Sequence, residues 1–185
     1  MTRKAKTPTD RNKLKGLLAS WRTERPDLDL DAFLLGIVLN RIGRMIETSY
    51  DRLCRTQFGI SGPDMRVLFA LRRIGDPFAL RPTDLFRALL VTSGAMTKQV
   101  DRLQGLELVE RTSDPEHGGG FKVRLTERGL KVADAAVEVM AARSLLGNAL
   151  RSLPDDPGLT GSAFVHQLLE ALEHEATAER DLGSV

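Results

Sequence analysis

What most constrains the fold of this chain is a change of period at Leu108. Between Arg81 and Leu108 the apolar residues recur at helical spacing, whereas from Val109 to Leu125 apolar and polar residues alternate. Thr83 follows Pro82 and can accept a hydrogen bond from a free backbone N–H. It marks the start of a helix whose stripe is Leu85, Phe86, Leu89 and Leu90, ending near Leu90. After a three-residue turn a second helix opens at Thr92 or Ser93, both good N-caps. Its Met96, Val100 and Leu103 stand at i, i+4 and i+7 and pack on the first helix. Val109 and Arg111, then Phe121, Val123 and Leu125, read as two strands joined by a long tip of Asp114, Pro115 and Gly118 to Gly120. Helix, turn, helix and hairpin in this order make a winged helix-turn-helix, and that arrangement points to duplex DNA.

The second helix carries Thr97, Lys98, Gln99 and Arg102 opposite its apolar stripe, side chains that reach phosphates and base edges in a major groove. Ser93, Gly94 and Ala95 let its N-terminus approach the DNA backbone closely, and Thr83 joins the candidate contacts from the head of the first helix. The competing reading is an ordinary solvated face, since polar residues lie opposite any apolar stripe. Lys122 and Arg124 project from the return strand toward flanking phosphates. The run Gly118 to Gly120 is followed by a strand and by no Lys-Ser/Thr pair, which argues against a phosphate-cradling loop.

Outside this segment the pattern is helical. Phe33, Leu34, Ile37, Val38, Ile42, Met45, Ile46, Ser49 and Leu53 trace a long helix of about 25 residues that starts at Asp29 or Asp31. A second begins near Glu127 and runs through Leu130, Val137, Met140 and Leu145 before the break from Pro154 to Gly158. A last helix shows Val165, Leu168, Leu169 and Leu172 on one face. These helices have more apolar stripe than one small domain can cover, so the expectation is a two-fold dimer presenting two recognition helices to a pseudo-palindromic site. The alternative is that they fold back on their own domain. The fold class is therefore mainly α with a small β-hairpin, in four parts: a basic extension (1–25), an N-terminal dimerisation helix (26–60), the winged helix (61–126) and C-terminal dimerisation helices (127–180).

Charge divides the same way. Residues 1–25 hold eight Lys/Arg against two Asp/Glu and residues 66–131 twelve against eight, while 26–65 hold four against six and 132–185 three against nine. The basic parts suit a polyanion; the acidic end belongs on the far side from it. The arm Thr2 to Lys15 reads as mobile, either touching DNA or only solubilising the chain. With 42% hydrophobic and 28% charged residues the composition is that of a globular domain, and no apolar run is long enough to span a bilayer. The basic N-terminus lacks an apolar signal segment, so a cytoplasmic location is expected. A single cysteine, Cys54, excludes an internal disulfide framework.

In TSGAMTKQVDRL and the frame DPEHGGGFKVRLTERG the chain resembles the MarR (multiple antibiotic resistance regulator) family of bacterial transcription factors, over roughly residues 31–176. Trp21, ERPDLDL and the run Pro77 to Thr97 resemble most its branch of PecS-type and urate-responsive regulators. The resemblance implies a dimer on double-stranded DNA, most often a repressor, released by a small molecule bound between the dimer helices and the DNA-binding lobe. Three departures stand out. His117 and Gly119 replace the second Asp and the Arg of the family's wing, leaving Lys122 as the nearest substitute. Glu107 occupies the place of a Gly at the end of the recognition helix, at a cost of about 1 kcal/mol if the left-handed turn is kept. Arg66 stands where urate-responsive members carry an Asp, which argues against urate and leaves an anionic ligand open.

Candidate pocket residues are Trp21, Arg41, Arg44, Arg66 and Arg73, although an Arg on an apolar helix often only pairs with a carboxylate, and Trp21 serves equally as a core anchor. Cys54 between Arg52 and Arg55 invites a redox-sensing reading, but residues adjacent in sequence do not share a helix face and a buried inert thiol is the commoner case. His166 and His174 are about 12 Å apart along a helix and cannot serve one ion, so no metal, cofactor or catalytic constellation is expected. The reading is a ligand-responsive DNA-binding regulator; the rival is a winged helix used only for dimerisation or protein contact.

Overall fold

The structure is a computed structural model that describes residues 10–114, 120–153 and 158–182. In chain order these form α1 (Asp10–Glu24), α2 (Asp31–Phe58), α3 (Gly62–Arg73), β1 (Ala79–Leu80), α4 (Pro82–Ala88), α5 (Ser93–Gly105), β2 (Val109–Asp114), β3 (Gly120–Leu125), α6 (Glu127–Arg143), α7 (Leu145–Arg151) and α8 (Gly158–Leu182). Two compact units result, residues 1–48 and 49–185. No described helix is long and apolar enough to cross a membrane.

In the first unit, the arm expected to be mobile through Lys15 is helical from Asp10 on, and residues 1–9 lie outside the described part. The Asp29 carboxylate accepts the Asp31 N–H at the head of α2, 3.1 Å away, so both predicted start signals are used. Trp21 of α1 meets Phe33 of α2 edge-on at 5.4 Å, and Arg22 pairs with Asp31 at 2.8 Å. Trp21 is itself 41% exposed, so it touches α2 without being a core residue.

The second unit is built around α3, a helix for which the sequence analysis set no expectation. Ser61 caps it by accepting the Asp64 N–H, and Met65, Val67, Leu68 and Leu71 are fully buried. Around them pack Leu85 of α4, Met96, Val100 and Leu103 of α5, Val123 of β3 and Ala133 and Ala136 of α6. The three strands are antiparallel in the order β1–β3–β2, with Val109 opposite Leu125 and Asp114 opposite Gly120. Asp114 and Gly120 are thus strand ends, not tip; Pro115 to Gly119, including His117, lie outside the described residues. The Leu108 carbonyl lies so near α6 that a Cβ on Gly129 would stand 1.9 Å from its oxygen, and only glycine fits there.

Three local expectations need correction. Helix α4 starts one residue earlier than read, with Arg81 at the N-cap and Pro82 at N1. Proline's fixed φ and missing N–H suit that place, so Thr83 caps nothing. Leu90 is not part of the stripe. It is 91% exposed at φ 53, the left-handed residue of the turn, where the Val91 N–H closes on the Phe86 carbonyl. Finally, the helix expected to reach Leu145 breaks at Ser144, whose extended backbone ends α6 while its hydroxyl accepts the Gly147 N–H and caps α7.

Candidate nucleic-acid interface and effector cleft

Helix α5 is fixed at both ends. Thr92, not Ser93, is its N-cap, accepting the Ala95 N–H at 3.2 Å. At the other end the Glu107 N–H closes on the Gln104 carbonyl and the Leu108 N–H on that of Leu103, at 2.9 and 3.0 Å, with Glu107 left-handed at φ 58. The turn normally given to glycine is therefore kept with a glutamate in it. Leu103 and Leu108, both buried, supply the apolar contact that accompanies such a turn.

Between these ends Ser93, Gly94, Thr97 and Lys98 are exposed and Ala95 half-buried, while Thr83 is exposed at the start of α4. A Cβ on Gly94 would meet nothing within 4 Å, so that side of the helix is open to a partner. The Lys98 ammonium makes no ion pair among the described residues. Gln99 contradicts its predicted place: it is 7% exposed, and its Oε1 has no hydrogen-bond partner. The reason is angular. Gln99 is i+3 from Met96 and i−4 from Leu103, so it widens the buried stripe instead of facing outward.

Arg102 is exposed but engaged. Its Nη2 and Nε donate to the two carboxylate oxygens of Asp64 at 2.6 and 3.2 Å, and this partner raises its pKa further. The strand cations are engaged as well. Arg124 pairs across the strands with Glu110 at 2.6 Å, and Lys122 with the buried Asp114 at 3.2 Å. Arg81 reaches the other Asp114 oxygen at 2.8 Å, so one buried carboxylate ties the start of α4 to the tip-side end of β2. Sequence reasoning missed Asp64, Asp114 and Arg81. The signal for Asp64 was a carboxylate in the first turn of a capped helix; none marked its partner, which is 38 residues away.

Of the candidate effector residues, Arg66 and Arg73 come together in a cleft of about 630 Å³ with Phe69, Arg72, Leu89, Asp134 and Val137. Arg66 stacks over the Tyr50 ring at 5.3 Å, and Arg72 over Phe78 at 5.3 Å while pairing with Asp134 at 2.6 Å. Trp21, Arg41 and Arg44 belong to the first unit. Cys54 is fully buried. His166 lies 3.4 Å from the Ser162 hydroxyl, and no group of three or more described His, Cys, Asp or Glu is placed to hold a metal.

A capped α5 behind α4, on a three-stranded sheet whose last two strands form a wing, defines a winged helix-turn-helix protein. Residues 58–118 match the model of the MarR family. The chain is 28% identical over 122 residues to the HTH-type transcriptional regulator PecS of Dickeya dadantii, covering 66% of this chain and 73% of that one. It is 30% identical over 107 residues to the multiple antibiotic resistance protein MarR of Escherichia coli, covering 56% and 72%. Among solved structures, a mutant MarR from E. coli complexed with operator DNA superposes with TM-score 0.60 at 26% identity, over 75% of this chain and 99% of that one. Sco5413, a MarR family regulator from Streptomyces coelicolor, shares the fold with TM-score 0.65 at 18% identity, covering 81% and 98%. The chain belongs to the MarR family of transcriptional regulators.

Proposed function

We propose that the chain is a ligand-responsive, DNA-binding transcriptional regulator, most simply a repressor, that acts as a homodimer on a pseudo-palindromic operator. The observation that carries this reading is α5: a helix pinned at both ends by its cap and its closing turn, with Ser93, Gly94, Thr97 and Lys98, which has no ion pair among the described residues, on its open side. In this reading α5 enters the major groove with Ala95 at its entry; Thr83 and Lys98 hold phosphates, and Arg102, Lys122 and Arg124 add contacts from donors left outside their ion pairs. Gln99 supports the helix from within. The segment 61–126 is the DNA-binding part, with 26–60 and 127–180 supplying dimer contacts. Half-exposed Phe164, Val165, Leu169 and Leu172 on α8 and Leu145, Leu146 and Leu150 on α7 are the apolar surface for that purpose.

The effector is a small anion in the cleft beside Arg66, Arg72 and Arg73. It acts by binding more tightly to the dimer state whose recognition helices do not fit the groove. The rival reading, an interaction module without DNA binding, rested on the missing wing arginine and on Glu107; the turn at Glu107 is kept, Gly119 lies outside the described residues, and nothing in the comparisons favours the rival. Selection from a random duplex library on the full-length protein tests the function. A two-fold symmetric site with half-sites about one helical turn apart is expected, and failure to enrich any sequence contradicts it.

A further inference from the structure

Asp64 sits in the first turn of α3 and is 4% exposed, yet it faces an arginine of the helix offered to DNA. Its two oxygens take the Nε and Nη2 donors of Arg102, whose own side chain stays half exposed. A guanidinium has five N–H donors in a rigid plane; two are used here, so three remain on the outer edge. A bidentate pair fixes the plane as well as the position of the group, and that separates an aimed donor from a long side chain free to rotate. The corner that carries Asp64 is itself held. The Asp51 carboxylate, in the last turns of α2, accepts the Gly62 N–H at 2.8 Å and pairs with Arg55 at 2.7 Å.

We propose that Asp64 is a positioning residue for DNA readout: its buried carboxylate orients Arg102 of α5 so that the outer N–H donors face a base edge of the operator. The inference rests on the DNA-binding function above. Its consequence separates geometry from charge. A carboxylate near DNA repels every duplex, so by electrostatics alone Asp64→Asn tightens binding to all sequences. Loss of an aimed donor weakens only the preferred sequence. The two effects differ in sign on the preferred duplex, and a merely structural role moves both duplexes and the melting temperature together.

The experiment uses the full chain as wild type, Asp64→Asn, Arg102→Lys and the double variant, each checked by thermal unfolding. Affinity is measured for a duplex enriched by the wild-type protein and for a shuffled duplex of the same composition. The expected result is a loss of about tenfold or more on the enriched duplex for either single variant, with no loss on the shuffled one and the double variant no worse than Arg102→Lys. Discrimination retained in Asp64→Asn, or equal losses on both duplexes, overturns the proposal. Should Asp64→Asn not fold, Arg102→Lys, at an exposed position that keeps its charge, carries the same test, and retained discrimination again overturns it. A wild-type protein that enriches no duplex sinks the DNA-binding reading and this one together; wild-type discrimination shared by both variants sinks only the role of Asp64.

Discussion

Glu107 and Leu90 close the two helices of the helix-turn-helix in the same left-handed conformation, at φ 58 and φ 53. Neither has a side-chain contact that needs it there: Glu107 reaches Arg128 only at 3.4 Å between exposed groups, and Leu90 is almost wholly in solvent. An exposed pair of that kind is worth little, whereas a Cβ in this conformation costs about 1 kcal/mol. Glu107→Gly and Leu90→Gly each therefore raise stability by about 1 kcal/mol, read as a melting temperature higher by about 2–4 °C; an unchanged or lower value contradicts the strain. Gly129→Ala runs the other way. Its Cβ meets the Leu108 backbone oxygen, which cannot rotate aside, and a loss of about 3 kcal/mol is expected in urea unfolding. Asp51 adds a pH signature. Arg55, then the Gly62 N–H, hold its carboxyl below the usual range, so its contribution is present above the ordinary aspartate value of about 3.9 and is lost as pH falls through the lower folded value. Asp51→Asn flattens that acid limb while leaving the urea midpoint near pH 7 less stable than wild type; an unchanged limb refutes the linkage.

Elements were legible where a periodic run coincided with a cap. Thr92 announces α5, and both it and Thr126, which the structure places at the head of α6, accept the N–H three residues on. The wing was legible from alternation, since Val109, Val123 and Leu125 all turn inward. What sequence could not place was decided by neighbours. Ser144 stands in an unbroken helical pattern and still ends α6, because its hydroxyl can cap a new helix as readily as it can be tolerated in an old one. Gln99 reads as polar and therefore outward, but the stripe at its position is wide enough to take it in. Arg102, Lys122 and Arg124 were read as free cations because the carboxylates that meet them lie on other elements, 38, 8 and 14 residues away. The element-scale prediction follows from Gln99. Gln99→Met, which removes a buried unpaired oxygen at similar volume, keeps the melting temperature at or above wild type and leaves duplex discrimination unchanged. A loss of discrimination without a loss of stability returns Gln99 to the contact surface.

At the scale of the whole molecule, the apolar residues left half-exposed on α7 and α8 are the face proposed above for a second copy, and the cations of the winged helix the face proposed for DNA. Val165→Asp with Leu169→Asp places charge on the α8 face; sedimentation then shows monomers with an intact helical spectrum, and a persistent dimer contradicts the assignment of that face. The proposed effector cleft predicts that a small carboxylate anion raises the melting temperature of the wild type and that Arg73→Ala abolishes the shift; an unchanged shift moves the site elsewhere. Whether α5 is held rigid to meet DNA phosphates and bases is decided by the affinity for the enriched duplex across a salt series. A log–log slope of several units is expected, with Lys98→Ala making it shallower by about two per dimer. A slope near zero, or one that Lys98→Ala leaves unchanged in a folded dimer, rules out this role for α5.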